Sequence, residues 1–302
     1  MYITDDGKTR VYITLHDGRT SPLLGCCPNG TVTVDWGDGT EPDVLTGTST
    51  STAKWTPNHE YAAPGDYVIT LTVDGTMGFY GGSSSNQYSG ILRHSSGANA
   101  VNRVYQNAVQ KVEIGSGVTS IGSYAFYNCH SLASITIPDG VTSIGSTAFR
   151  GCYSLASITI PDGVTSIGNN AFYFCYSLAS ITIPGGVTSI GTYAFSDCYC
   201  LASITIPDGV TSIGNNAFYN CYSLASITIP GGVTSIGISA FYNCYGVRRY
   251  DFTRYIAVPT LPATNAFSGI PADCEIRVPA ALAEEWKAAT NWSVYADKIV
   301  EV

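Results

Sequence analysis

The sequence predicts a mainly β protein with two principal parts, a small antiparallel sandwich over residues 1–78 and a stacked solenoid over 109–279, the latter closed by a short helix. The solenoid rests on one phrase, LASITIPDGVTSIGNNAFYFCYS at 155–177, which recurs with a period of 23 residues. Copies start at Val109, Leu132, Leu155, Leu178, Leu201 and Leu224, and a divergent seventh starts at Val247. Such a period marks a repeat unit that buries its apolar side only against its neighbours. The sandwich rests on the alternating runs VYITL, TVTVDW and YVITLTV, separated by turn residues. Composition agrees with a folded chain: 45% of the 302 residues are hydrophobic and only 12% charged, so the surface must be neutral and polar.

Within the copy at 155–177, Ile158 and Ile160 alternate with Ser157 and Thr159, the period of a short strand with one buried face. Pro161 stops the strand. Gly163 and Gly168 recur in every copy and are expected at corners that need positive φ or close backbone approach. Val164 and Ile167 point inward between them. Ala171, Phe172 and Cys175 follow at helical spacing, which predicts one helical turn. At about 1.5–3 kcal/mol for each large apolar side chain fully buried, stacking supplies the driving force that one coil lacks.

Both ends of an open solenoid need covers. The segment AALAEEWKAATNW (280–292) reads as an amphipathic helix with Leu282, Trp286 and Ala289 on one face, the core of a C-terminal cap over 280–302 that ends in the strand candidate KIVEV. Residues 79–108 hold the Gly/Ser-rich stretch GGSSSNQYSG, a linker or mobile loop, and an apolar cluster expected to form an imperfect N-terminal cap. In the seventh copy Ala266 and Phe267 arrive three residues late, which predicts a local bulge.

Several function classes are disfavoured. A net charge of −8 with only 14 Lys and Arg argues against nucleic acid and against anionic membrane surfaces. No stretch approaches the roughly 18 apolar residues of a membrane span. MYITDDGKTR lacks the apolar core of an export signal, so an exported chain is expected to lose a leader beforehand or to use another route. PLLGCC resembles a lipoprotein cleavage box, but an alternating strand with charges precedes it, so lipidation at Cys26 is not expected. His16, His59, His94 and His130 lie in no nucleophile motif, Asp38 reads as a turn residue beside Asp35, and no motif places a pair of carboxylates. The chain is therefore read as non-enzymatic, without a cofactor or metal. Cys129, Cys152, Cys175, Cys198, Cys221 and Cys244 stand one period apart and so form a line, whereas metal ligands converge on a point. Coils roughly 4.8 Å apart permit a disulfide on distance, but small buried thiols are the expected state. Cys198 and Cys200 form a lone C-x-C without a histidine nearby.

What remains is surface for recognition. Tyr153, Tyr176, Tyr199, Tyr222 and Tyr245 continue a column begun by His130, and Tyr173, Tyr219 and Tyr242 belong to a second that includes Tyr127 and Arg150. Tyrosine offers contact area at little entropic cost, so both columns are candidate ligand-binding residues, although rings in a column also stack on one another and shield a corner. The outward strand positions, Thr159, Thr182 and Thr205 with Ser157, Ser180 and Ser203, form a flat hydroxyl surface that is the third candidate, while strand propensity alone also accumulates threonine.

The pattern L..I.IP.GVTSIG..AF..C, over 109–246, resembles the BspA-like leucine-rich repeats of bacterial surface proteins. The resemblance implies a right-handed solenoid of short parallel strands in a bacterial, extracellular or cell-surface protein. It also implies non-catalytic adhesion to a protein or glycan on host or neighbouring cells. In the first part, Trp36, Gly37, Asp38 and Gly39 with the later His59, Tyr61, Pro64, Gly65 and Tyr67 resemble the PKD (polycystic kidney disease) domain. That resemblance implies an immunoglobulin-like sandwich that presents the solenoid, with Cys26 and Cys27 in a loop. The alternative reading is a structural spacer or phage-tail-type fibre segment, for which six coils spanning about 30 Å are short.

Overall fold

The computed structural model describes residues 6–16, 22–49, 54–79, 91–93 and 107–302. The Gly/Ser-rich stretch at 81–90, most of the expected N-terminal cap and His94 lie outside the described residues. The chain opens with β1 (Thr9–Leu15), β2 (Leu23–Asp35), β3 (Asp43–Thr48), β4 (Lys54–Trp55), β5 (Gly65–Phe79) and β6 (Leu92–Arg93). Alternation puts Val11, Ile13 and Leu15 of β1 on one buried face. The strands pair antiparallel in the order β3-β2-β5-β1, and β4 and β6 pair with the beginning of β2.

Two features differ from the sequence expectation. β2 begins at Leu23 rather than at Thr31, so Cys26 and Cys27 are buried strand residues, not loop residues. The stretch DVLTGT forms β3, which the alternation rule missed because only Leu45 of its six residues is buried.

The repeats form a β-solenoid of about eight turns. Its first side holds one parallel strand per coil: β7 (Val109–Glu113), β9 (Ser134–Thr136), β10 (Ser157–Thr159), β11 (Ser180–Thr182), β13 (Ser203–Thr205), β15 (Ser226–Thr228), β17 (Arg249–Asp251), β18 (Glu275–Val278) and β19 (Ile299–Glu301). Like residues stand opposite like, Ser157 on Ser180, Ile158 on Ile181 and Thr159 on Thr182. The ladder is interrupted after β9 and again after β13. A second side carries β8 (Val118–Ile121), bridges at Ile144 and Ile167, then β12 (Ser189–Ile190), β14 (Ser212–Ile213) and β16 (Ser235–Ile236).

The third side is where the expected helical turn fails. Ala171, Tyr173, Cys175 and Leu178 donate their amides three residues back, closing successive turns, while the intervening Asn170, Phe172 and Phe174 donate to Thr192, Ala194 and Ser196 of the next coil. A helix would keep every amide within its own turn, so a side that must also bond the neighbouring coil cannot be one. The alternation is achieved by left-handed residues: Asn170 has φ of 58° and Phe174 of 63°, and the equivalent Thr147 has 64° despite its branched β-carbon. The corner glycines serve close approach instead. Gly168 is not left-handed, and a β-carbon there would strike the backbone at Gly145 and Ser146.

Inside, one phenylalanine per coil stacks on the next from Phe126 to Phe241 at 5.2–5.5 Å between ring centroids. All cysteines are free thiols. Cys152, Cys175, Cys198, Cys221 and Cys244 each donate to the carbonyl of the preceding coil's phenylalanine at 3.2–3.3 Å.

The cap at the solenoid's start is formed by the N-terminal sheet. β1 pairs antiparallel with β7, extending the first side, while the end of β5 pairs parallel with β8, extending the second. Phe79 then begins the aromatic column, 5.5 Å from Phe126. At the other end α1 (Ala283–Ala288) is shorter than the expected 280–292, because Ala289 turns extended and Asn291 is left-handed, its side chain donating to the Leu261 carbonyl. Trp286 and Trp292 are fully buried against Phe252 and Phe267. The three extra residues of the seventh copy loop out after β17, and Phe241 still bonds Ala266.

Candidate functional site

The tyrosine column is a continuous stack at the corner leading into the strand side. His130, Tyr153, Tyr176, Tyr199, Tyr222 and Tyr245 follow one another at 4.2, 4.8, 4.8, 4.9 and 5.4 Å between centroids, with interplanar angles of 3–17°. Neighbouring amides lock the spacing: Ser177 bonds the Tyr153 carbonyl, Cys200 that of Tyr176 and Ser223 that of Tyr199. Each inner ring therefore has both faces against another ring and presents only its edge and hydroxyl. Exposure grows toward the C-terminal end, to 37% at Tyr222 and 53% at Tyr245. Burial, then the charge of Asp197, pushes the Tyr199 phenol up to about 12; the same two raise Tyr222, while Tyr176 is raised by burial, then by Tyr153 and Asp197.

The second column is interrupted. Tyr219 and Tyr242 stack at 5.1 Å, but Tyr173 instead meets Phe174 at 3.8 Å and the Arg150 guanidinium at 4.9 Å, which also lies 5.9 Å from Tyr127. At Ser196 the column turns inward, where its hydroxyl donates to Asp197. Asp197 also accepts from Asn220, whose oxygen accepts from Asn243, a short side-chain ladder running across three coils. The recurrence of polar residues at 197, 220 and 243 was a readable sign of it.

On the strand side, Thr159, Thr182 and Thr205 are exposed, as are Ser157, Ser180 and Ser203, in the register set by the strands beneath. Neighbouring coils thus repeat the same hydroxyl pair roughly every 4.8 Å. The structure places this array and the stacked tyrosines on adjoining surfaces; the stack begins on His130, and among the described residues neither surface meets a carboxylate pair.

The other chemistry-bearing groups are committed to structure. His59 lies flat on Trp36 at 4.5 Å and its Nε2 is 2.8 Å from Asp38, while Trp36 donates to Asp43 and Tyr61 to the Trp36 carbonyl. Burial alone would raise the Asp38 carboxyl, but hydrogen bonds from Thr40 and His59 outweigh it and hold it below the usual carboxylate range. Burial pushes the Cys129 and Cys244 thiols up to about 12, keeping both protonated, and Cys244 donates to the Phe218 carbonyl. Among the described residues no group of three His, Cys, Asp or Glu side chains gathers to hold a metal, and no helix is long and apolar enough to cross a membrane.

Residues 102–222 and 165–269, together more than half of the chain, match the family described as BspA type Leucine rich repeat region (6 copies). The chain belongs to the BspA-type leucine-rich repeat family. Proteins of this repeat type are generally non-enzymatic. Among solved structures, the leucine-rich repeat protein of T. pallidum is 29% identical with a TM-score of 0.51, over 64% of this chain and 88% of that one. A leucine-rich repeat protein from Bacteroides ovatus is 24% identical with a TM-score of 0.34, over 66% and 68%. A leucine-rich cell surface protein from Faecalibacterium prausnitzii is 28% identical with a TM-score of 0.25, over 59% and 76%. The likeness in fold rests on the first of these. No curated protein gives a significant match.

Proposed function

We propose that this BspA-type repeat protein is a non-catalytic adhesin-like binding module, working at the bacterial cell surface or outside the cell, which captures proteins or glycans of host or neighbouring cells on its strand side. The observation that carries the reading is the exposed, uncharged Ser/Thr array, held in register by the strand ladder and bordered by the stacked tyrosines. A rigid hydroxyl lattice loses little entropy on binding and offers each position as both donor and acceptor. The tyrosine edges extend it, with their hydroxyls as the polar rim. The first strands, with their WGDG turn and the Trp36–His59–Tyr61 cluster, we read as a PKD-like sandwich that presents the solenoid.

The test is direct binding of the full chain to mucins, extracellular-matrix proteins and glycans, beside two variants. Thr159, Thr182 and Thr205 changed to Lys places charge on the array, and Tyr153, Tyr176, Tyr199 and Tyr222 changed to Ser removes the ring edges. Saturable binding that the lysine variant loses supports the reading and locates the face. Binding kept by that variant and lost by the serine variant moves the site to the corner. Silence across the panel leaves the fibre-segment reading in its place.

A further inference from the structure

One position in the repeat breaks the uniformity of the strand side. Counting back by 23 residues from Arg254 gives Gly231, Asp208, Gly185, Asp162 and Asp139, a column just beyond the strands whose only cation is Arg254. Because Gly231 stands between them without a side chain, Arg254 reaches across a whole coil to Asp208, with nitrogen and oxygen 3.1 Å apart. A β-carbon at Gly231 would collide with the Arg254 carbonyl oxygen, so glycine there is required for the approach. The backbone carrying the guanidinium is fixed on both sides: Thr253 donates twice to Asp251, and the Tyr255 hydroxyl donates to the Val233 carbonyl at 2.9 Å.

This pair borders an open groove of about 500 Å³. The groove runs over β13 and β15, at one of the two places where the strand ladder is interrupted. Ser203, Thr205, Ser226 and Thr228 form its floor, with Pro207 and Pro230 beside them. The ladder also opens between β9 and β10, but there the column offers only Asp139 and Asp162, with no cation.

We propose that this groove binds neutral oligosaccharides, hexopyranose units whose vicinal hydroxyls bridge Asp208 and Arg254. A sugar hydroxyl pair needs an acceptor and a donor side by side, and the ion pair supplies both: one guanidinium N–H is engaged by Asp208, while the others and the second carboxylate oxygen keep their capacity. The floor hydroxyls serve either role. An anionic sugar is disfavoured, because Asp208 offsets the guanidinium charge and the chain as a whole carries −8. A protein anchor is disfavoured too, since the lining has no aromatic residue and no deep apolar pocket. The inference rests on the recognition reading above and names the ligand class for one part of that surface.

The experiment applies the full chain to an array of neutral, sialylated and uronic-acid-bearing oligosaccharides and titrates hits by calorimetry. It runs beside Arg254→Ala, Asp208→Ala and Asp162→Ala, with circular dichroism to confirm folding. The expected result is binding of neutral glycans that Arg254→Ala and Asp208→Ala each weaken at least tenfold and that Asp162→Ala leaves unchanged. Preference for acidic glycans, or neutral binding untouched by both groove variants, overturns the proposal. A silent array with protein ligands still captured on the strand side overturns it while leaving the recognition reading intact; silence of both removes both.

Discussion

The two regions of this molecule are held together in opposite ways. In the solenoid each residue meets its own equivalent: Ile on Ile, Phe on Phe and Tyr on Tyr, with the same amide crossing to the same carbonyl in coil after coil. In the N-terminal sheet no unit repeats along the strands, and one cluster of Trp36, His59, Asp38 and Tyr61 ties the turn after β2 to the segment before β5. A stack of like parts spreads its stability over nearest-neighbour interfaces. An assembly of unlike parts concentrates it in contacts that nothing else duplicates. The two are joined without an interruption in hydrogen bonding, since β1 and β5 extend both sides of the first coil.

The largest expected effect breaks the unlike region. Trp36→Ala removes a fully buried ring and should cost about 3–5 kcal/mol by chemical denaturation. Hydrogen exchange should then quicken in β8 and the first coil while the C-terminal coils stay protected. Equal protection throughout would mean that the sheet is a passenger and not the cap.

The next contrast is in pH. The Asp38 carboxyl is held low in the folded chain, so its contribution is present above the ordinary carboxylate range and is lost as pH falls through the lowered value. The phenols of Tyr176, Tyr199 and Tyr222 are raised, so theirs is present below about pH 10 and is lost as pH rises toward the value of about 12 at Tyr199. The N-terminal sheet should therefore melt first in acid and the tyrosine corner loosen first in alkali, followed by near-ultraviolet dichroism. Asp38→Asn should flatten the acid limb alone.

A smaller effect probes the repeat itself. Cys198→Ala leaves the Phe172 carbonyl without its thiol donor and should cost about 1 kcal/mol in thermal unfolding, with Cys221→Ala giving nearly the same value because the environments are copies. Smallest of all, Tyr245→Ser at the exposed end of the stack should cost about 0.5 kcal/mol, less than Tyr199→Ser from its middle.

The same contrast explains what the sequence made legible. Six near-identical copies announce the strands, the inward Ile, Phe and Cys positions and the two tyrosine columns, because an error in reading one copy is corrected by the next. The third side was misread as helix, since Ala171, Phe172 and Cys175 have helical spacing and only the inter-coil amides exclude it. The left-handed residues fell on Asn170 and Phe174 rather than on glycine, a choice made by the neighbouring coil and invisible within one copy. β3 was missed, and so was the pairing of β1 and β5 with the first coil, because unlike strands leave no periodic trace. The Asp208–Arg254 groove was present in the column of residues at 208, 231 and 254, but it spans two periods and ends in the divergent copy, where attention to the consensus looks past it.

The register of the stack has a further consequence. Since the coils within one run of the ladder offer upward the bonding pattern they receive from below, a whole copy gained or lost inside such a run upstream of Asp208 changes the height of the tower without disturbing its joints. The same change between Asp208 and Arg254 would part the only pair that reaches across a coil in that column. Gene-level shuffling of the repeats is thus free to tune how far the groove stands from the first strands, while the groove itself is inherited as one indivisible block.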